Sequence, residues 1–151
     1  MKLLLAYLTK LGSEQNLSFR VQEILKHCLI GLDERKKKVL IVSGITEGQP
    51  HHFVIDLNEV SGCSVKKYYG RINVNGLVNR GLNQYLEKMD LQIELHSKKQ
   101  PADILIYKQT DNDIRELPKL ELKARKWMEL ISRISPNFLK KENRPLKLEK
   151  L

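Results

Sequence analysis

Apolar positions change their spacing twice along this chain. Near the start they recur every three or four residues, which places side chains on one face of a helix. Leu3, Leu4, Tyr7, Leu8 and Leu11 form a short stripe that meets Gly12. Leu17, Val21, Ile24, Leu25, Cys28, Leu29 and Leu32 form a longer one, with Asn16 or Ser18 available as its N-cap and Gly31 near its end. The pattern therefore predicts two amphipathic helices, the second keeping Arg20, Gln22, Glu23, Lys26 and His27 in water. Arg35, Lys36, Lys37 and Lys38 follow as a basic run that reads as a linker.

From Lys38 the period drops to two. KVLIVS (38–43), HFVIDL (52–57) and CSVKKYY (63–69) are short and rich in β-branched and aromatic residues, and turn material separates them. Three such strands with short connections predict an antiparallel meander. The segment 70–90, punctuated by Gly and Asn, reads as helix or loop. LQIELH (91–96) then alternates cleanly and pairs with DILIYK (103–108) across SKKQPA. The helical spacing returns at the end, where Leu120, Ala124, Trp127, Ile131 and Ile134 share one face. Asp113 is placed to cap its approach, Pro118 fits a first turn, and Ser135-Pro136 stops it.

The expected fold is α+β: residues 1–37 as a helical extension with a basic linker, 38–135 as a β domain with its C-terminal helix, and 136–151 as a basic tail. The strand series and Trp127 in ARKWMELI give residues 38–134 an order of elements that resembles the pleckstrin-homology-like superfold. That resemblance implies a strongly curved antiparallel sheet, an incomplete barrel, whose open end the amphipathic helix plugs through Leu120, Ala124, Trp127 and Ile131. The superfold has about seven strands and five are evident here, so the remainder is expected within 70–90. Lipid-binding members carry Lys and Arg in and beside the loop between their first two strands. The corresponding SGITEGQPHH holds Glu47 and neither, so inositide binding is not carried over.

Charge changes the picture only when it is divided. The 151 residues hold 27 Lys plus Arg against 18 Asp plus Glu, a net charge of +9. Residues 1–38 contribute +4, 39–118 contribute −1 and 119–151 contribute +6, so the excess belongs to the flanks. Cys28 and Cys63 have neither disulfide-scaffold density nor metal-type spacing, and the adjacent His51 and His52 point to opposite faces of a strand. Gly70, Gly76 and Gly81 make no phosphate loop, and Ser61 to Ser64 no nucleophile elbow. Neither a catalytic nor a metal site is assigned, and no cofactor or small-molecule substrate is implied.

What remains is recognition. Lys66, Lys67, Tyr68 and Arg71 interleave cations with aromatics, the combination that pairs phosphates and stacks bases. On a strand, however, Lys67 and Tyr69 share one face and Lys66 and Tyr68 the other. Arg35, Lys36, Lys37 and Lys38, with Lys140, Lys141 and Arg144 in the tail, are the candidate contacts to an anionic membrane surface. The favoured expectation is a noncatalytic binding or scaffolding module with a protein partner, which includes a second copy of the chain meeting it through the N-terminal helix. Nucleic-acid binding through the strand from Lys66 to Arg71 and the basic flanks is the alternative, and peripheral membrane association the third. With no signal-peptide pattern and no long apolar run, a cytoplasmic location is expected.

Overall fold

The computed structural model describes residues 2–71 and 81–138. It is α+β, with helix α1 (Lys2–Glu14), two antiparallel sheets and a C-terminal helix α2 (Leu117–Ile134). The first sheet holds β1 (Val21–Ile24), β2 (Leu29–Asp33), β3 (Lys38–Ser43) and β4 (His51–Asp56) in that order. The second holds β5 (Val60–Tyr69), β6 (Leu86–Leu95) and β7 (Ala102–Lys108).

The first sheet is apolar on both faces. All five residues of β2 are buried, as are the four central residues of β3. Ile30 lies opposite Ile41 and Leu32 opposite Val39, and these four face the main core with Ile55. Leu29, Leu40 and Val42 face the other way, onto Leu8 and Leu11 of α1 and onto Leu17. Phe19 slots between α1 and β2 where neither can carry a side chain: a Cβ on Gly12 or on Gly31 would stand 2.6 Å from its ring. Gly12 thus does not end the first helix, which runs on to Glu14.

Three expectations are corrected here. The apolar stripe of 17–32 is a hairpin, β1 with β2, and not an amphipathic helix. Its three- and four-residue spacing was produced by a turn, Leu25 to Cys28, set between two strands, one of which is buried on both faces. A strand buried on both faces loses the alternation that marks one. Asn16 and Ser18 cap nothing there: Asn16 has φ 60, and the Ser18 amide donates to Asp33 Oδ2 at 2.9 Å. Two strands beyond the five evident ones come from 21–33; of the segment 70–90, residues 86–90 open β6 instead of forming helix or loop, and 72–80 lie outside the described residues. The three-strand meander fails as well. β4 ends one sheet and β5 begins the other, because the 3-10 turn Leu57–Glu59 breaks between them, with Asp56 accepting from the Asn58 amide.

The pairing of 91–96 with 103–108 and the C-terminal helix hold. The second sheet lays Cys63, Ile93 and Ala102, and Val65, Leu91 and Ile104, side by side toward the core. Asp113 caps the turn Ile114–Glu116, with Glu116 returning a bond to the Asp113 amide, and Pro118 sits in the first turn of α2. That helix buries Leu117, Leu120, Ala124, Trp127 and Ile131 between the sheets, and ends at Ile134.

Trp127 is 1% exposed and its indole N–H donates to Glu23 Oε1 on β1 at 3.2 Å, so it ties the helix to the first sheet by packing and by polarity at once. Trp127→Ala is expected to cost about 3–5 kcal/mol, read as a lower urea midpoint. Trp127→Phe, which keeps most of the buried area, should lose well under half of that. A neutral alanine variant would remove the helix from the core.

Candidate functional site

The buried polar groups sort into those that hold the frame and those left with capacity to bind. Glu23 belongs to the first kind. Lys123 and Lys126 of α2 reach it at 3.0 and 3.3 Å, beside the Trp127 indole. Burial alone would push its pKa up, but the bonds from Lys123 and Trp127, with the charge of Lys123, hold it below the usual glutamate value. His27, 2% exposed, joins three loops: Nδ1 meets Thr46 Oγ1 at 2.9 Å and Nε2 meets Asn112 Oδ1 at 2.8 Å. Asn112 in turn donates to Glu116 at 3.1 Å. Asp33 closes the β2–β3 turn by accepting from the amides of Ser18 and Lys36.

The residues singled out in the sequence do not converge. Lys66 and Tyr68 are exposed on the outer face of the second sheet, while Lys67 and Tyr69 turn inward, as the alternation requires. Lys67 is spent on Glu121 of α2, at 2.9 Å. Lys88 of β6 lies over the Tyr68 ring, 4.8 Å from its centre, where a base would otherwise stack. Arg71 is exposed at the limit of the described residues. Of the basic run, Arg35 is exposed, Lys36 donates to the Asn16 carbonyl, Lys37 turns the chain with φ 55, and Lys38 pairs with Asp56 at 4.0 Å. Lys140, Lys141 and Arg144 lie outside the described residues. The structural set fares differently: Leu120, Ala124, Trp127 and Ile131 are all buried together.

Sequence reasoning missed the seam between the sheets. β4 and β7 each stand at the end of a sheet, and the described backbone bonds join neither to a strand on its far side. A groove of about 390 Å³ runs along β4, lined by the four successive residues Phe53 to Asp56, by Leu95, Pro101 and Ala102, and by polar Glu59, Ser97, Lys98 and Gln100. Four consecutive residues of one strand line a groove only when the groove follows the strand's edge. A second hollow of about 230 Å³ continues from Phe53 past His51 to Asp103 and Leu105. A third, of about 280 Å³, continues from Asp103 and Leu105 to Glu47 and Asp90. A larger hollow of about 510 Å³ lies by Arg20, Arg35 and Lys36, but Asp33 and Glu34 share its wall and the Asp33 carboxylate is already used by the turn. The seam combines strand edges that have no partner strand among the described residues with a partly apolar lining, so it is the stronger candidate. Its only signal in the sequence was the order of strands, which does not say where a sheet stops.

Asp90 is the one buried charge in this region that is incompletely partnered. It is 2% exposed, Lys88 reaches Oδ2 at 3.4 Å, and Oδ1 has no hydrogen-bond partner among the described residues. Burial pushes its pKa above the usual aspartate value, against the pull of Lys88. No known protein family matches this chain, and neither a curated protein nor a solved structure matches it.

Two stability measurements follow from these carboxylates. Glu23 has its pKa lowered in the folded state, so it contributes stability at neutral pH that is lost as pH falls below the usual glutamate range. The urea midpoint of Glu23→Gln should therefore fall furthest below that of the unchanged protein near about pH 7 and approach it near about pH 3. Asp90, with its pKa raised, does the reverse: Asp90→Asn should melt no lower, and by up to a few degrees higher, at neutral pH.

Proposed function

We propose that this chain is a noncatalytic binding module of pleckstrin-homology-like architecture that takes an extended segment of a protein partner along the β4–β7 seam. The observation that carries the reading is a pair of strand edges with no partner strand among the described residues and, between them, a groove lined by Phe53, Ile55, Leu95 and Ala102 together with polar Glu59 and Lys98. An added strand finds main-chain hydrogen bonds at such an edge, and the groove selects its side chains. Four strands in one sheet, three in the next and a closing C-terminal helix support the curved, incompletely closed barrel that the order of elements resembles.

The noncatalytic character has its own support. Burial raises both thiols to about 12, so Cys28 and Cys63 stay protonated and poorly nucleophilic at neutral pH. His27 has both ring nitrogens engaged in holding loops together. Protein recognition is favoured over nucleic acid because the Lys66 to Arg71 strand divides its cations between two faces and its exposed Tyr68 is already covered by Lys88.

Peptides selected from a displayed library against the immobilised chain should shift the backbone amide resonances of Phe53 to Asp56 and of Ala102. Ala102→Arg, which fills the groove from its β7 side, should weaken those peptides by about tenfold or more. Peptides whose resonance shifts fall away from both strands, or bind the variant equally well, would overturn the reading. So would a library from which none is selected.

A further inference from the structure

Helix α1 has a second apolar surface that the fold does not use. Leu8 and Leu11 turn inward onto Leu29, Leu40 and Val42, and Leu4 packs against the same cluster. Yet Leu3 is 84% exposed, Leu5 42% and Tyr7 38%, all within the first two turns. Leu3 and Tyr7 stand one turn apart, with exposed Ala6 beside them. Phe19, wedged against Gly12 and Gly31, fixes the helix on the sheet, and rolling it to bury Leu3 would bring Leu8 out into water.

The charge beside this surface says what covers it. Lys10 is exposed on the helix itself. Beyond the helix end, the Lys36 ammonium donates to the Asn16 carbonyl and so draws the β2–β3 turn against α1. Arg20, Arg35 and Lys36, all exposed, line the hollow of about 510 Å³ there. Glu14 and half-buried Glu34 offset part of this charge, while the Asp33 carboxylate is taken up by two amides. A second copy of the chain, meeting this face about a two-fold axis, would bring the same cations together. A phospholipid surface with anionic headgroups suits both features, taking apolar side chains at the boundary of headgroups and acyl chains and cations at its phosphates.

We infer that α1 docks this chain on an anionic phospholipid surface, with Leu3, Leu5 and Tyr7 entering the headgroup layer and Lys10, Arg20, Arg35 and Lys36 pairing with its phosphates. Tyr7 suits that boundary, since its ring is apolar and its hydroxyl stays among the headgroups. Of the basic run, Arg35 and Lys36 serve this contact, whereas Lys38 is paired with Asp56. The inference is independent of the seam, which none of these residues lines.

Flotation of the full chain with vesicles tests this. Vesicles of a roughly three-to-one mixture of phosphatidylcholine and phosphatidylserine should bind it at least tenfold more tightly than phosphatidylcholine alone. Binding should fall as salt rises from about 0.1 M to about 1 M, which shortens the Debye length from about 10 Å to about 3 Å. Lys10→Gln and Arg35→Gln should each weaken it about fivefold. Leu3→Asp should weaken it at least tenfold and leave the urea midpoint unchanged, since Leu3 already stands in water. Leu122→Asp, which removes a leucine 71% exposed on α2, should bind as the unchanged chain does. Equal recovery with the two vesicle types, full binding by Leu3→Asp, or an equal loss in Leu122→Asp would overturn the inference. So would light scattering that shows a dimer dissolved by Leu3→Asp in a chain that floats with neither vesicle, because α1 would then be a contact between copies.

Discussion

A sheet with two apolar faces cannot leave either of them in water, and the rest of this molecule is arranged around that constraint. β2 and the middle of β3 are buried above and below. One face is covered by α1, through Leu8 and Leu11, and the other by the second sheet with α2. Each Leu, Ile or Val so covered contributes on the order of 1.5–3 kcal/mol relative to exposure. Coverage of the faces leaves the strand edges as a separate problem. α2 is tied to β1 by side chains, with Trp127, Lys123 and Lys126 on Glu23, and to β5 by Glu121 on Lys67. Among the described residues no strand is bonded to the far edge of β4 or of β7, and that is where the seam lies.

Polar burial follows the same division. Where α2 and the loops meet the first sheet, Glu23 has three donors, His27 is engaged through both nitrogens and Asp33 accepts from two amides, while Gln22 Oε1 on β1 has no partner among the described residues. Such contacts fix the position of an element more than they add to stability, since the desolvation of each group offsets much of its bonding. On the outer face of the second sheet the accounting does not close, and Asp90 keeps an unpaired oxygen next to the seam.

Much of the architecture was legible in the sequence wherever a segment is wet on one side. In β4, β7, α2 and the later part of β6 one face is wetter than the other, so their period of two or 3.6 survives. The split of Lys66 and Tyr68 from Lys67 and Tyr69 was readable for the same reason, and so was the stop at Ser135. The β1–β2 hairpin was not, because β2 has no wet face to contrast with its dry one, and four turn residues between the strands reproduced a helical spacing. Of the candidate site, Glu47 was noticed only as an acidic residue in a loop without Lys or Arg. Asp90 and Asp103 carried no signal, since their proximity depends on two strands that are remote in sequence from Glu47.

The sequence by itself determined local alternatives: which residues form helices or half-exposed strands, where turns fall, and that the charge excess belongs to the flanks. Those properties depend on neighbours a few positions away, and periodicity records them. Only the tertiary structure decided that 21–33 joins the first sheet, that the sheets part between Asp56 and Val60, and that Glu47, Asp90 and Asp103 share one hollow. Those are matters of which surfaces cover one another. Covering is a property of pairs of elements, and no spacing within one element encodes it.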